Sequence, residues 1–218
     1  CDDFFYKGSL KLGINKISHT LDKLGFRSDG TNLNLRYQNN TIIADSLFAV
    51  KYNLAESDPL KYGFSLYQTE VGLSSYKNEY ATQLAILTEG VYKDVKFTNL
   101  TLDNQTRFLN QITGLEQTYF TKLYPLSVKN ATELNNRVTV QTPENEDMPR
   151  VNYELTVPAD SQLYISIPNI SFSNQDQEIV QISVNNVSTN FTLDNTFSIF
   201  NIGYFEKGQN LNVVIRFP

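Results

Sequence analysis

Two short segments hold the residue types whose spacing could do chemistry. Residues 45–52 read DSLFAVKY, which places the carboxylate of Asp45 close in sequence to the amine of Lys51 and the phenol of Tyr52. Residues 76–80 read YKNEY, which combines two aromatic rings with polar and charged groups. The first segment has the composition of a possible active-site signature, and the second has that of a sugar-binding segment.

The segment at residues 45–52 reads as a β-strand. Side chains alternate along a strand, so Asp45 and Lys51 would share one face, while Phe48 and Tyr52 would lie on the other, mostly apolar face. Asp45 and Lys51 would be too far apart along one strand to pair directly. We therefore interpret this segment as a structural strand beneath the aromatic segment rather than as a site of chemistry.

The aromatic segment is the candidate carbohydrate-binding site, formed by Tyr76, Asn78, Glu79 and Tyr80. In a strand, Tyr76, Asn78 and Tyr80 would share one face. Sugar rings have apolar C–H faces that stack on aromatic rings, and amide or carboxylate groups can satisfy their hydroxyls. The alternative is that the tyrosine rings pack in the core or at an edge with solvated hydroxyls.

Other catalytic and metal chemistries find little support in the chain. A Ser-His-Asp triad would depend entirely on the single histidine, His19, which we place on a helix surface. No dinucleotide-binding, phosphate-loop, nucleophile-elbow or zinc-protease motif occurs, so no cofactor is predicted. One cysteine excludes a cysteine-based zinc site, and the acidic loop at residues 144–147 lacks calcium-ligand spacing. No catalytic residue and no metal site are predicted.

Composition limits the classes of partner. The 218 residues are 40% hydrophobic and 12% aromatic, enough to bury a sizeable core. The net charge of −5 and the absence of a basic cluster argue against a nucleic-acid partner. No apolar run long enough to span a bilayer occurs. Cys1 is either the lipidated residue of a bacterial lipoprotein or simply the point where a fragment begins.

Periodicity predicts a mixed first half. Helical spacing predicts a short helix over residues 14–26, stopped by Gly25, and a second over residues 103–120 with Asp103 as its cap. Strands are predicted at residues 33–37, 42–52 and, with a turn near Gly72, 62–87.

The second half is uniformly strand-like. Residues 137–141 read as a strand, and short alternating runs follow a polar segment with two prolines. We predict a β-rich α+β fold in which residues 1–128 form a mixed α+β domain with two short helices. Residues 129–218 would form an antiparallel, jelly-roll-like β-sandwich.

Five segments in a fixed order carry a family resemblance. They are LDKLGF at residues 21–26, DSLFAVKY at 45–52, YKNEYATQLAIL at 76–87, LDNQTRFLNQITG at 102–114 and IGYFEKGQNLNVVI at 202–215. Together they resemble the C-terminal extracytoplasmic region of the YfhO family of bacterial membrane proteins. Gln83 stands where the family often has proline, and Ala85 where it often has glycine. Asp45, Lys51 and Tyr52 are the family-motif residues.

The resemblance implies a function for the parent protein. YfhO-like proteins resemble polytopic GT-C glycosyltransferases, which use a polyprenyl-phosphate sugar donor outside the membrane and decorate cell-wall polymers such as lipoteichoic acid. The chain would then be an extracytoplasmic portion attached to the cell membrane of a Gram-positive bacterium, inactive alone, that positions the acceptor polymer. Its partners would be its own transmembrane domain and a cell-wall polymer or polyprenyl-linked sugar. The family's catalytic loop lies outside this sequence, so no catalytic residue is carried over.

Two other functions remain open from the residues. One is a surface lipoprotein, anchored through Cys1, that binds carbohydrate or protein. The other is a stand-alone hydrolase whose two carboxyl groups, roughly 5–10 Å apart, come from distant segments.

Overall fold

The computed structural model describes residues 4–7, 20–28, 34–37, 40–83, 87–88, 94–134, 137–144, 148–168, 177–194 and 197–217. These residues cluster into two compact units. The first comprises the described parts of residues 1–121, 162–169 and 196–203, and the second those of residues 122–161, 170–195 and 204–218. The domain boundary predicted between residues 128 and 129 stays a prediction.

The described residues of the first unit form three small sheets, of which the first two are antiparallel. Strands β1 (Phe4–Lys7), β2 (Arg27–Ser28) and β3 (Asn34–Tyr37) lie in the order β1-β3-β2. Strands β4 (Tyr52–Ala55), β5 (Phe64–Glu70) and β6 (Leu73–Asn78) lie in the order β4-β6-β5. Strands β11 (Ser161–Pro168) and β14 (Phe197–Phe205), which fall almost entirely within this unit, pair with each other.

Helical segments pack beside these sheets. Helix α1 spans Ile42–Leu47, helix α2 spans Thr101–Thr113, and residues 20–23 are also helical. A hydrophobic core cluster joins the three segments through the buried residues Leu24, Phe26 and Ala44, with Leu21, Phe97 and Phe108 packed against them. Burial of this apolar surface fixes the segments against one another.

The second unit is a five-stranded antiparallel sheet with a hairpin. Strands β7 (Ser127–Lys129), β10 (Arg150–Thr156), β12 (Gln177–Val184), β13 (Val187–Asp194) and β15 (Asn210–Arg216) lie in the order β13-β12-β15-β10-β7. Strands β8 (Ala131–Leu134) and β9 (Arg137–Val140) form the hairpin. Leu211, Val213 and Ile215 of β15 are buried at every second position, and Val214 on the opposite face is buried as well, so both faces of the strand are covered near its end.

The strand predictions for the second half are confirmed. All the alternating runs after residue 150 form strands, and Asn185 and Asn186 make the turn between β12 and β13 at φ of +48° and +72°. Asparagine tolerates this left-handed region, which tight hairpin turns require. The β-rich α+β fold class is also confirmed. The jelly-roll-like sandwich stays a prediction.

The strand predicted over residues 42–52 is wrong in its first part. Residues 42–47 form helix α1, and extended structure begins only at Tyr52. Thr41 caps the helix, because its hydroxyl accepts a hydrogen bond from the Ala44 amide at 3.1 Å. Asp45 lies in the first turn, where a carboxylate interacts favourably with the helix dipole.

The helix predicted over residues 103–120 is confirmed over part of its length. The N-cap is Leu100, without a side-chain cap bond, and Asp103 lies inside the first turn. The helix ends at Thr113 because Gly114 adopts a left-handed conformation at φ +69°. The apolar residues Leu115, Tyr119 and Phe120 that suggested a longer helix lie beyond this stop.

Several predictions fall outside the described residues. These are Cys1, His19, the first part of the helix predicted over residues 14–26, residues 84–86 of the strand region and residues 145–147 of the acidic loop. Among the helices that the structure describes, none is long and apolar enough to cross a membrane.

Candidate functional site

The family-motif carboxylate is buried in an ion pair. The Lys61 ammonium donates to Asp45 Oδ2, and both side chains are 0% exposed. Burial lowers the pKa of Lys61, and the neighbouring Asp45 opposes that shift. The Lys61 Nζ also lies 5.2 Å from the centre of the Phe64 ring. Asp45 therefore ties helix α1 to the segment that leads into β5, and it does not face solvent.

Amide side chains hold the end of the first helical segment. Gln105 Nε2 and Asn40 Nδ2 donate to the Leu24 carbonyl at 2.9 and 3.1 Å. Asn104 Nδ2 donates to the Lys23 carbonyl at 3.0 Å. Carbonyls at a helix end lack partners within the helix, so these bonds satisfy groups that burial would otherwise leave unpaired. Asn104 and Gln105 of the segment at residues 102–114 are thus structural.

Asn78 also has a structural role, since its side chain makes its hydrogen bonds within the protein. It is buried, and its Nδ2 donates to the Val50 carbonyl at 3.0 Å while its Oδ1 accepts from the Tyr80 amide at 2.9 Å. Strand β6 ends at this residue, so the strand predicted to carry Tyr76, Asn78 and Tyr80 on one face stops before Tyr80.

Exposed aromatic rings lie on the outer face of the β4-β6-β5 sheet. Tyr52 of β4 and Ser65 of β5 are both register partners of Lys77 on β6, so the three share a face. Tyr67 follows Ser65 by two residues and lies at the register shift between Leu66 and Gln68. The Tyr52 and Tyr67 rings are 5.3 Å apart, and they are 40% and 61% exposed. We call Tyr52, Tyr67 and Lys77 the tyrosine face.

Charged groups border the tyrosine face. The Lys77 ammonium lies 2.8 Å from a carboxylate oxygen of Glu79, and the Ser65 hydroxyl donates to the other oxygen at 3.1 Å. Hydrogen bonding to Glu79 raises the pKa of Lys77, and the same bond lowers the pKa of Glu79. The Lys51 ammonium lies 5.9 Å from the Tyr52 ring centre. The rings are thus flanked by the Lys77–Glu79 ion pair and by the Lys51 ammonium.

A second aromatic pair lies where β6 ends. The Tyr62 and Tyr80 rings stack with centres 6.0 Å apart and planes at 20°. They are 50% and 53% exposed. Hydrogen bonding between the two side chains raises the pKa of Tyr80. Gly63 makes room for this stack, since a Cβ at that position would overlap the Tyr80 ring.

The structure separates the residues singled out from the sequence into two groups. Asp45 and Asn78 are buried, whereas Lys51, Tyr52, Glu79 and Tyr80 are exposed and Tyr76 is partly buried. Sugar binding by Tyr76, Asn78, Glu79 and Tyr80 stays a prediction.

Three residues of this region were not found from the sequence: Lys61, Tyr62 and Tyr67. Lys61 and Tyr62 lie in a loop without a motif. For Tyr67, the only local signal was its spacing of two residues from Ser65, which places both side chains on the same face of a strand.

The groups around the tyrosines are suited to binding a ligand. The part of the chain that the structure describes contains no group of three or more histidine, cysteine or carboxylate residues able to hold a metal ion. The Lys77, Glu79 and Ser65 side chains beside the tyrosines pair with one another. Aromatic faces bordered by paired charges are suited to a ligand with both apolar and hydroxyl surfaces.

Comparison with known proteins places the chain in a family. No curated protein and no solved structure matches it at a significant level. The family described as "Bacterial membrane protein YfhO" matches residues 13–218, which is nearly the whole chain. The resemblance drawn from the ordered motifs is therefore confirmed, and the chain belongs to the YfhO family of bacterial membrane proteins.

Proposed function

We propose that this chain is the extracytoplasmic portion of a polytopic membrane glycosyltransferase from a Gram-positive bacterium. In this role it holds the saccharide part of an acceptor polymer, such as lipoteichoic acid, near the catalytic membrane domain. Membership of the YfhO family supports a place in a membrane protein. The observation that carries the binding role is the pair of exposed rings, Tyr52 and Tyr67, on one sheet face.

The tyrosine face matches the chemistry of a sugar ring. A pyranose has one or two faces of C–H groups that lose water favourably against an aromatic ring. Its equatorial hydroxyls point sideways, where the Lys77 ammonium and the Glu79 carboxylate border the rings. Tyrosine has few rotatable bonds, so holding its ring for a ligand costs little conformational entropy.

Charge favours the sugar over the polymer backbone as the recognised group. The chain carries a net charge of −5, so a polyglycerol-phosphate backbone would be repelled on approach. Binding to such a polymer would therefore be weak and would depend on its glycosyl groups. Weak binding suits an appendage, because tethering the site to the enzyme raises the local concentration of acceptor without slowing release.

The test uses the full-length protein in membranes supplied with donor and acceptor. A Tyr52→Ala/Tyr67→Ala double variant is compared with Tyr124→Ala, which removes an exposed tyrosine from the second unit. The double variant should raise the acceptor KM about tenfold with kcat nearly unchanged, because it removes uniform binding. The Tyr124 variant should match wild type. An unchanged acceptor KM in the double variant would contradict the proposed role of this face.

A further inference from the structure

We infer that the loop of residues 58–63, together with Tyr80, is a preformed subsite for one pyranose ring of the acceptor, separate from the tyrosine face. This inference rests on the proposed function and names a second contact for the same ligand class. We call residues 58–63 the pinned loop. Its two exposed rings, Tyr62 and Tyr80, form the binding platform.

The pinned loop has a strained backbone. Leu60 adopts φ +54°, a left-handed conformation that residues with branched side chains rarely take. The Asp58 carboxylate supports it by accepting the Leu60 amide at 2.8 Å. Such conformations persist only where the surroundings over-determine them, and they concentrate at functional sites.

Two amide side chains from neighbouring strands fix the same backbone. Asn201 Nδ2 of β14 donates to the carbonyls of Pro59 and Leu60 at 2.9 and 3.2 Å. Gln162 of β11 donates to the Leu60 carbonyl at 3.0 Å and accepts the Tyr62 amide at 2.7 Å. The Gln162 and Asn201 side chains also hydrogen-bond to each other. The loop backbone is therefore held on both sides of Leu60.

The buried ion pair between Lys61 and Asp45 anchors the pinned loop to the interior. Lys61 points into the interior and pairs with Asp45 of helix α1, and both side chains are fully buried. The next residue, Tyr62, is half exposed. Because the inward and outward side chains are adjacent, the ion pair restricts the position from which the Tyr62 ring projects. Asp45 thus acts as a positioning residue that does not touch the ligand.

The platform is completed by a glycine. Gly63 has φ +80°, and a Cβ there would overlap the Tyr80 ring. The absence of a side chain at position 63 lets Tyr80 stack on Tyr62. The stacked Tyr62 and Tyr80 rings, each about half exposed, present apolar ring surface to solvent. Because the rings are held before a ligand arrives, binding loses little freedom, which is the general benefit of preorganisation.

The chain supplies a matched pair of glycines for the test. Gly72 has φ +79°, nearly equal to that of Gly63, yet nothing lies within 4 Å of the Cβ position. Gly63→Ala and Gly72→Ala therefore carry the same backbone strain, and only the first displaces the Tyr80 ring. The difference between them isolates the effect of the platform from the effect of strain.

The full chain is titrated with methyl glycosides of glucose, galactose and N-acetylglucosamine. Saturation-transfer NMR measures the binding of each glycoside. Gly63→Ala, Tyr62→Ala and Tyr80→Ala should each weaken binding of at least one glycoside about tenfold. Gly72→Ala and the ring-retaining Tyr80→Phe should bind as wild type does. Circular dichroism and thermal unfolding confirm that each variant is folded, and a variant that fails this check is replaced by its serine counterpart.

Three negative results are possible, and they do not all have the same meaning. If wild type binds none of the glycosides, both the proposed function and this inference are overturned. If binding is lost in Tyr67→Ala but unchanged in Gly63→Ala and Tyr80→Ala, the pinned loop is not a subsite, and the proposed function stands on the tyrosine face alone. Equal losses in Gly63→Ala and Gly72→Ala would also overturn the inference, since strain alone would then explain them.

Discussion

Replacing Asp45 with asparagine should destabilise the first unit more than any comparable change to a surface charge. Asp45 and Lys61 are the two halves of an ion pair whose side chains are 0% exposed. Asparagine keeps the size of the side chain but removes its charge. The Lys61 ammonium would then lie in a low-dielectric interior opposite a neutral amide, or it would have to give up its proton.

The expected magnitude follows from that burial. Removing one partner of a buried ion pair costs about 3–5 kcal/mol, because the other charge loses its compensation. For a chain of this length, about 1 kcal/mol moves the melting temperature by about 2–4 °C. A shift of about 6–20 °C in the unfolding of the first unit is therefore expected. Burial lowers the pKa of Lys61 in the wild type even though Asp45 opposes the shift, so the ion pair offsets only part of the desolvation of the ammonium.

The exposed pair on the same unit gives the control. Lys77 and Glu79 also form an ion pair between an ammonium and a carboxylate, but their side chains are 34% and 49% exposed. Exposed ion pairs contribute about 0–1 kcal/mol, so Glu79→Gln should have little effect. An Asp45→Asn/Lys61→Met double variant should recover part of the loss, because it removes the uncompensated charge and leaves an apolar chain in its place.

The assay is urea unfolding followed by NMR signals of residues in the first unit, so that the second unit does not obscure the transition. Equal losses of stability for Asp45→Asn and Glu79→Gln would refute the reasoning. So would a double variant that is less stable than Asp45→Asn.

Two further predictions test other buried polar groups. Burial raises the pKa of Tyr164, so its neutral form is favoured in the fold. The resulting stability is present below about pH 10 and is lost above it, where the unfolded chain ionises. Between pH 9 and 11 the free energy of unfolding should therefore fall more steeply for the wild type than for Tyr164→Phe, by up to about 1.4 kcal/mol per pH unit. Equal slopes for the two proteins would contradict this prediction. Gln105→Ala removes a buried donor to the Leu24 carbonyl and should cost about 1–3 kcal/mol in chemical unfolding, whereas Gln68→Ala on the surface should change stability by less than about 0.5 kcal/mol. Similar costs for these two variants would show that the amide network is not what holds the helix end.

Local patterns predicted those elements whose structure is set locally. The alternation in β10, β11, β12, β14 and β15 was readable from the sequence because side chains of a strand point alternately to its two faces. The 3.6-residue period found helix α2, although the effect of Gly114 as a stop was missed.

Helix α1 could not be predicted in the same way. It has only six residues, and short apolar runs fit a helix or a strand equally well. What decides its conformation includes the Thr41 cap and the ion pair with Lys61, sixteen residues further along the chain. The loop holding Lys61 carries no local signal of that partner.

The candidate site was only partly predictable for a similar reason. Tyr80 was identified from its segment, but its partner Tyr62 lies in a loop whose course depends on Asn201 and Gln162. The Tyr52–Tyr67 pair depends on strand register and on the irregularity after Leu66 in β5. Register between strands is set by tertiary packing, which no single segment contains.

The most direct test of the central claim is an NMR titration of the isotope-labelled chain with two glycerol-phosphate polymers, one bearing glycosyl groups and one without them. The account predicts weak binding of the glycosylated polymer only, with shifts concentrated at Tyr52, Tyr67 and Tyr80. Equal binding of both polymers, or shifts confined to residues away from these tyrosines, would contradict it.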